Sequence, residues 1–311
     1  MAKIITRRPE RQQPSKVYRF LSLKDFWERR NKILIVRKFG GLGDILMHRM
    51  IFEDFKLLMP SAEIYFACPS KYHQALVDHP FITKLLGIDP ADKETECYNL
   101  LDHTISYDTS VACGKYESKI APRADLHRSD IWAQYCGVTL TKHNMHITLT
   151  EEELQWGKEK LAEFGEGPYV LVNPISAMKI KNLSDHCITK LFDLLEGQGF
   201  NPIGIHSEPI EVLMNRSLLN NLKLRQWMSV IQAANYMISV DSASFHCAGG
   251  MNKPVLGIFT FANGDVYSQH YPKAQSIQGP CPFGMKGCYN WHLCPDKPKV
   301  ALPCNSGTTP Q

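Results

Sequence analysis

The chain has 311 residues, of which 44% are hydrophobic and 21% are charged, a composition that excludes collagen-like, low-complexity and wholly disordered proteins. Its formal net charge of +4 hides an asymmetry, because residues 1–38 contain 12 basic and 3 acidic residues, a net +9, and the remainder is net −5. No apolar run approaches the ~20 residues of a membrane-spanning helix, and the first thirty residues lack the pattern of a secretory signal. We therefore expect a cytoplasmic protein of about two domains.

The basic head, residues 1–31, is predicted to be an extension with an amphipathic helix over Ser15–Arg30. Its apolar face would carry Val17, Phe20, Leu21 and Trp27. Two interpretations are open: a helix docked on the first domain, or a segment that contacts an anionic membrane surface or a phosphorylated saccharide. Nucleic acid ranks behind both as a partner.

Residues 32–145 are predicted to form a first domain in which strands and helices alternate. The run Ile33–Val36 predicts a buried strand that feeds the glycine-rich turn 40–44 and then a helix from Ile45 to Pro60. Further strands are expected at Glu63–Cys68, Ile82–Leu86 and Thr104–Tyr107, with helices at Tyr72–Val77 and Asp125–Cys136. Residues 137–149 have the composition of a linker.

Residues 146–278 are predicted to form a second domain, which opens on the capping-box sequence of residues 150–153. Strands are expected at Tyr169–Asn173, Pro202–His206, Tyr236–Val240 and Val255–Phe259. Helices are expected at Ser184–Leu195, Val212–Leu219 and Arg225–Ala234, with a short one after Asp241. The pattern favours an α/β fold in which two Rossmann-like, doubly wound parallel-sheet domains face each other across a cleft.

The turn Gly40, Gly41, Leu42, Gly43, Asp44 places a carboxylate at the mouth of the first sheet, where the glycines permit close approach of a ligand. A general base that deprotonates an acceptor hydroxyl must be held in this way, within ~3 Å of its proton. On the pattern alone, a cap of the helix that follows is favoured over a base for Asp44. The sequence alone leaves both interpretations open.

In the second domain, the strand Tyr236–Val240 is followed by Asp241, Ser242, Ala243, Ser244, Phe245 and His246. Small polar residues that open a helix after a strand form an anion site, although they also serve as ordinary caps. A Ser-His-Asp hydrolase is disfavoured, since triad members normally come from separate elements. Ser176 and Lys181 follow an earlier strand, where lysine could neutralise a diphosphate or could simply be solvated.

Metal and nucleotide motifs are scarce in the sequence. It has no Asp-x-Asp pair, P-loop or Gly-x-Gly-x-x-Gly fingerprint, which favours metal-free chemistry and argues against kinases and standard dehydrogenases. The Cys/Pro-rich tail, residues 279–311, contains Cys281, Cys288, Cys294 and Cys304. Because these lack tight Cys-x-x-Cys spacing, a structural zinc site and unligated thiols are both open.

Taken together in this order, the motifs resemble glycosyltransferase family 9, the ADP-heptose:lipopolysaccharide heptosyltransferases. The matching pieces are Ile33–Arg37 with Leu42–Asp44, His127–Asp130, Asn173–Pro174 with Ser176 and Lys181, Ile238–Ser242 with His246, Lys253–Pro254 and Phe259. Ala243 stands where the family usually has glycine.

This resemblance implies a GT-B fold and inverting, metal-independent transfer of a heptose or hexose from a nucleotide-diphosphate sugar to a saccharide such as lipopolysaccharide core. It implies that Asp44 is the catalytic base, that Ser176 and Lys181 contact phosphate, and that residues 241–246 form the donor-binding turn. Alternatives are a different acceptor, such as a modified DNA base, a nucleotide-sugar epimerase, or a non-catalytic nucleotide-sugar binder on the same fold.

Overall fold

A computed structural model describes residues 32–88, 105–120, 125–260 and 262–279. The predicted basic extension and the four tail cysteines therefore lie outside the described residues. Within the described part of the chain, no helix combines the length and apolarity needed to cross a bilayer.

The first domain is built on a parallel sheet with the strand order β3-β2-β1-β4. These strands are β1 (Lys32–Val36), β2 (Glu63–Cys68), β3 (Lys84–Gly87) and β4 (Ile105–Asp108). The β-branched run of β1 suits a central strand, because both of its faces are covered and all residues from Ile33 to Val36 are buried. Each predicted strand of this domain is present within two or three residues of its expected bounds.

Among the residues that the structure describes, four helices accompany this sheet: α1 (Leu42–His48), α2 (Ile51–Leu58), α3 (Ala112–Ile120) and α4 (Arg128–Tyr135). The single helix predicted from Ile45 to Pro60 was wrong, because the chain breaks at Arg49. The Arg49 guanidinium is fully buried and bonds the Ala75 and Met145 carbonyls, contacts that no helical periodicity reveals. The helix predicted at Tyr72–Val77 is a 3-10 turn over Ser70–Ala75, and α3 was not predicted.

The second sheet is also parallel, with the order β10-β9-β8-β5-β6-β7. Its strands are β5 (Tyr169–Asn173), β6 (Asn201–Ile205), β7 (Leu218–Leu219), β8 (Tyr236–Val240), β9 (Val255–Phe259) and β10 (Ala274–Gln278). Its helices are α5 (Glu151–Ala162), α6 (Asp185–Gly197), α7 (Leu224–Ala233), α8 (Ala243–Gly250) and α9 (Gly264–Ser268). The capping box is confirmed: Thr150 N–H donates to Glu153 Oε2 at 2.9 Å, and Glu153 N–H donates back to Thr150 Oγ1 at 3.2 Å.

The helix predicted at Val212–Leu219 was wrong. Its first part is a short 3-10 turn, Glu211–Leu213, and its end is β7, which pairs with β6. Pairing with an existing sheet edge stabilises an extended backbone there and overrides the helical spacing of the leucines. The last two elements, α9 and β10, were not predicted.

The two domains meet along α1 and α8, and one hydrophobic cluster runs through both of them. It includes Leu46 and Met47 from the first domain and Phe245 and Ala248 from the second. Charged groups cross the same boundary, because Asp78 accepts from Arg49 at 2.9 Å and from Arg225 at 3.2 Å. The predicted fold class, two parallel-sheet α/β domains facing across a cleft, is confirmed, and the predicted boundary between residues 145 and 146 stays a prediction.

Candidate functional site

Asp44 lies where the first sheet meets its first helix. After β1 the chain turns through Gly40, whose φ of 129° is a conformation that favours glycine, and Asp44 follows in the first turn of α1. The Gly41 N–H donates to Asp44 Oδ2 at 3.3 Å. Asp44 thus satisfies one N–H group at the helix start, as the capping interpretation expects, and keeps further lone pairs for other contacts.

Two arginines hold the Asp44 carboxylate. Arg37 Nη2 donates to Oδ2 at 3.1 Å, and Arg128 Nη1 donates to Oδ1 at 2.7 Å. Burial raises the pKa of Asp44, but the guanidinium groups of Arg128 and Arg37 outweigh burial and hold the pKa well below its ordinary value. The group is therefore an ionised carboxylate at neutral pH.

Arg128 is bound to a second carboxylate as well. Its Nε and Nη2 donate to the two oxygens of Glu117 at 3.1 and 3.3 Å. Burial raises the pKa of Glu117 and outweighs the opposing effect of Arg128. The His127–Asp130 motif indicated that this segment matters, but nothing in the sequence indicated that Arg128 reaches Asp44, 84 positions away.

On the facing domain, polar side chains surround the start of α8. Ser242 is the N-cap and accepts from the Ser244 N–H at 3.2 Å, while the Asn173 side chain contacts the hydroxyls of Ser242 and Ser244 at 2.9 and 2.8 Å. With its amide oxygen toward these hydroxyls, Asn173 donates from its nitrogen to the carbonyls of Ile175 and Ile205. The opening turn of α8 is therefore fixed by side chains from β5 and from its own cap.

Lys181 is brought to this turn by a 3-10 segment, Lys179–Lys181. Its Nζ lies 2.8 Å from Asp241 Oδ2, at side-chain exposures of 18% and 8%. Burial raises the pKa of Asp241, but the neighbouring positive groups, with Lys181 first among them, together outweigh burial and hold the pKa below its ordinary value. Ser176 lies nearby and receives a hydrogen bond on its hydroxyl from the Met178 N–H at 3.3 Å.

The remaining residues of the predicted donor turn separate into two kinds. His246 is buried at the domain boundary, where burial lowers its pKa to about 4, and a 2.9 Å hydrogen bond joins its Nδ1 to Tyr271. Phe245 is fully buried and packs edge-on against Phe259 and Tyr271. Its side chain belongs to the core and is not among the residues that line the cavity, and its place in the donor-binding turn stays a prediction.

One cavity of about 900 Å³ lies between the domains and gathers these groups. Of the predicted site residues, its walls include Gly41, Gly43, Asp44, Ser176, Lys181, Asp241, Ser242, Ala243, Ser244 and His246. Arg128 of the His127–Asp130 motif also lines it, as do residues that the sequence did not single out: Lys71, Tyr72, Leu224, Trp227 and Tyr267. A carboxylate from one domain and the polar start of α8 from the other therefore share a single space.

The described residues offer one group with the composition of a metal site. His127, Asp130 and His270 place ligand atoms within 4.8 Å of one another. His270 Nε2 is 2.7 Å from Asp130 Oδ2, and His127 Nδ1 accepts from the Ser129 N–H at 3.2 Å. Because that bond uses the Nδ1 lone pair, neutral His127 carries its proton on Nε2 and has no second lone pair for a metal. The trio fits an interdomain hydrogen bond better than a metal centre.

Part of the chain matches the model of a known family. The model of glycosyltransferase family 9 (heptosyltransferase) matches residues 127–278, which confirms the resemblance that the motifs indicated. A search of curated protein sequences finds no match.

Solved structures show the fold. A family 9 glycosyl transferase from Veillonella parvula is 15% identical, with a TM-score of 0.63 over 80% of this chain and 86% of that one. The E. coli heptosyltransferase WaaC with ADP is 12% identical, with a TM-score of 0.58 over 80% and 93% of the two chains. The iron-containing dodecameric glycosyltransferase TibC from enterotoxigenic E. coli is 14% identical, with a TM-score of 0.56 over 80% and 63%. The arrangement is the GT-B fold expected from the sequence.

Proposed function

We propose that the chain is a heptosyltransferase-like glycosyltransferase of family 9 that moves a sugar from a nucleotide-diphosphate sugar to a saccharide hydroxyl with inversion. One observation carries the proposal. The ionised carboxylate of Asp44 and the helix start of α8, with Lys181 beside it, line the same cavity from opposite domains. A single displacement requires a base on the acceptor side and positive charge on the leaving-group side.

In this reaction the acceptor hydroxyl oxygen attacks the anomeric carbon of the donor. The bond from that carbon to the diphosphate oxygen breaks as the new glycosidic bond forms, and the hydroxyl proton passes to Asp44. Attack opposite to the leaving group inverts the anomeric centre. Asp44 suits this task because it is held on a rigid strand-to-helix turn and is deprotonated at neutral pH.

We propose that the leaving diphosphate binds at the start of α8 without a divalent metal. Ser242 and Ser244 open the helix there, and Lys181 supplies a cation 2.8 Å from Asp241. Free N–H groups and the positive end of a helix favour phosphate, and lysine adds a full charge. Activity that survives exhaustive chelation supports this proposal, and activity lost to chelation and restored by one metal contradicts it. Zinc analysis of the whole chain tests the tail cysteines separately.

For the donor we propose an ADP-sugar, with a heptose ahead of a hexose. The WaaC structure contains ADP, and the matching family model is that of heptosyltransferases. On this chain, Leu222, Leu224 and Trp227 give part of the cavity an apolar wall that suits a nucleobase. Saccharide of the lipopolysaccharide-core type is the proposed acceptor.

The experiment that tests the function is a labelled-donor assay across ADP-, UDP- and GDP-sugars, each with and without a saccharide acceptor. The proposal expects a glycosylated acceptor from an ADP-sugar and no sugar conversion without acceptor. An altered sugar formed without acceptor would identify an epimerase, binding without turnover a non-catalytic binder, and transfer to DNA alone a nucleic-acid acceptor. Each of these three results contradicts the proposal.

We further propose that the protein works in the cytoplasm at the inner face of the membrane. The support is the net +9 of residues 1–38, which suits anionic headgroups. Sedimentation with anionic vesicles, for the full chain and for a chain lacking residues 1–30, tests this. Equal binding of both would contradict it.

A further inference from the structure

We propose that Glu117 and Arg128 form a positioning pair that aims the Asp44 carboxylate and keeps it ionised. The pair touches no reacting atom in this account and acts through Asp44. The inference rests on the proposed function of Asp44 as the base, and the experiment below separates a failure of the pair from a failure of that function.

The geometry begins with the two carboxylates that Arg128 joins. A planar guanidinium that grips Glu117 through both Nε and Nη2 has its third nitrogen, Nη1, aimed in a fixed direction. That nitrogen meets Asp44 Oδ1 at 2.7 Å. The bidentate contact with Glu117 thus sets the direction of the contact with Asp44.

The backbone that carries Arg128 is fixed to the helix that carries Asp44. The His127 side chain caps α4 by accepting from the Ser129 N–H, and Ser129 Oγ donates to the Met47 carbonyl of α1 at 2.9 Å. Ser129 is fully buried. Because a hydrogen bond joins the start of α4 to α1, the backbone positions of the two helices also help to fix the distance from Arg128 to Asp44.

The hydrogen bonds also determine which lone pairs of Asp44 can serve a substrate. Oδ2 accepts from both Arg37 and Gly41, whereas among the described residues Oδ1 accepts from Arg128 alone. Since a carboxylate oxygen has two lone pairs, Oδ1 retains one for an acceptor hydroxyl. Arg128 therefore orients the oxygen best able to take the proton.

The charge of Arg128 has a second consequence. A cation at this distance stabilises the ionised form of Asp44, so that the base remains deprotonated well into acid, at some cost in proton affinity. Arg37, which contacts the other oxygen of the Asp44 carboxylate, also stabilises its ionised form. Without Arg128, one cation fewer would oppose the effect of burial, and the pKa of Asp44 would rise.

The test combines NMR with kinetics on four variants of the full chain, and a fifth variant serves to assign the NMR signal. The carboxyl carbon of Asp44, assigned with Asp44→Asn, reports its pKa whether or not the enzyme turns over. Arg128→Met removes the positive charge. Arg128→Lys keeps the charge but loses the planar guanidinium that contacts both carboxylates. Glu117→Gln weakens the bidentate contact with Arg128. Arg216→Met is the matched control, because Arg216 also joins two carboxylates, Asp193 and Glu196, far along the chain from Asp44.

We expect Arg128→Met to raise the pKa of Asp44 by about one unit or more and to move the acid limb of kcat/KM with it. Arg128→Lys should keep the pKa low yet lower kcat about 10-fold, with KM for the donor little changed, and Glu117→Gln should lower kcat similarly. Arg216→Met should change neither quantity. A positioning pair predicts all of these results together, whereas a merely structural role does not.

Two results would overturn the inference: a pKa of Asp44 that does not move in Arg128→Met, or a kcat in Arg128→Lys and Glu117→Gln equal to that of the natural chain. A pKa that rises while the acid limb of kcat/KM stays in place means something different. In that case the electrostatic link holds and the proposed function of Asp44 as base is what fails. If Arg128→Met does not fold, Arg128→Lys and Glu117→Gln still decide the question.

Discussion

Gly43 in α1 and Ala243 in α8 lie against each other across the domain boundary. A Cβ atom added to Gly43 would come 3.6 Å from the Ala243 Cα and 3.1 Å from Cδ2 of His246. At this boundary α8 carries the Ala243 side chain, whereas Gly43 leaves α1 without one, and little room remains for a side chain there. The close approach of the two helices depends on that arrangement.

We expect Gly43→Val to force α1 and α8 apart and to lower the free energy of unfolding by about 1–3 kcal/mol, the usual result of overpacking. Urea unfolding measures this loss. The control is Gly114→Ala in α3, where an added Cβ meets nothing within 4 Å. A Gly43→Val protein as stable as the natural chain would show that the helices are not in close contact.

Lys181 is expected to contribute to donor binding through its charge. Lys181→Met would remove the cation and leave the Asp241 carboxylate facing the diphosphate, so the Kd for the nucleotide should rise about 10- to 100-fold, in line with ~1.5–3 kcal/mol for a charged hydrogen bond. Calorimetric titration with ADP measures it. Lys179→Ala, an exposed lysine of the same 3-10 segment, should leave the Kd unchanged. Equal losses in both variants would indicate general electrostatics instead of a specific contact.

Stability is expected to fall as the solution is acidified below the ordinary histidine pKa of 6.5. Burial lowers the pKa of His246 to about 4 and that of His48 to about 3 in the folded protein. Between those values and 6.5 the unfolded chain binds protons that the folded chain does not, so each histidine removes up to ~1.4 kcal/mol per pH unit as pH falls. Urea unfolding across this range measures the slope.

His246→Gln should reduce that slope, whereas His186→Gln, at an exposed position, should not. The slope is informative even if the His246 variant is less stable at every pH, because it reports the protons taken up on unfolding. A free energy of unfolding that is the same at pH 6.5 and at pH 4.5 would contradict the neutral, buried state of these histidines.

The sequence predicts the strands of this fold better than its helices, for a physical reason. Central parallel strands are buried on both faces and appear as short apolar runs, so Tyr169–Asn173, Tyr236–Val240 and Val255–Phe259 were predicted to the residue. Helix ends depend on distant partners. Hydrogen bonds between residues three apart divide one predicted helix at Arg49 and Met50, and pairing with β6 turns the end of another into a strand.

The same contrast holds for the site. Two parts of the site directly follow strands: the turn that carries Asp44 and the serines at the start of α8. Their position at the carboxyl end of a sheet could therefore be inferred from the sequence. The partners of Asp44 could not be, because Arg128 comes from a helix 84 positions later and Glu117 from a helix that was not predicted. Contacts between residues distant in sequence are set by packing of the whole domain, which local patterns do not encode.

The central claim, that Asp44 is the base of a glycosyl transfer, is tested most directly by comparing Asp44→Asn with the natural chain in two measurements. Asparagine keeps the shape and the Gly41 hydrogen bond but cannot take the acceptor proton. We expect kcat for transfer to fall about 10²-fold or more, with the Kd for the donor nucleotide changed little. Turnover in Asp44→Asn equal to that of the natural chain would contradict the account.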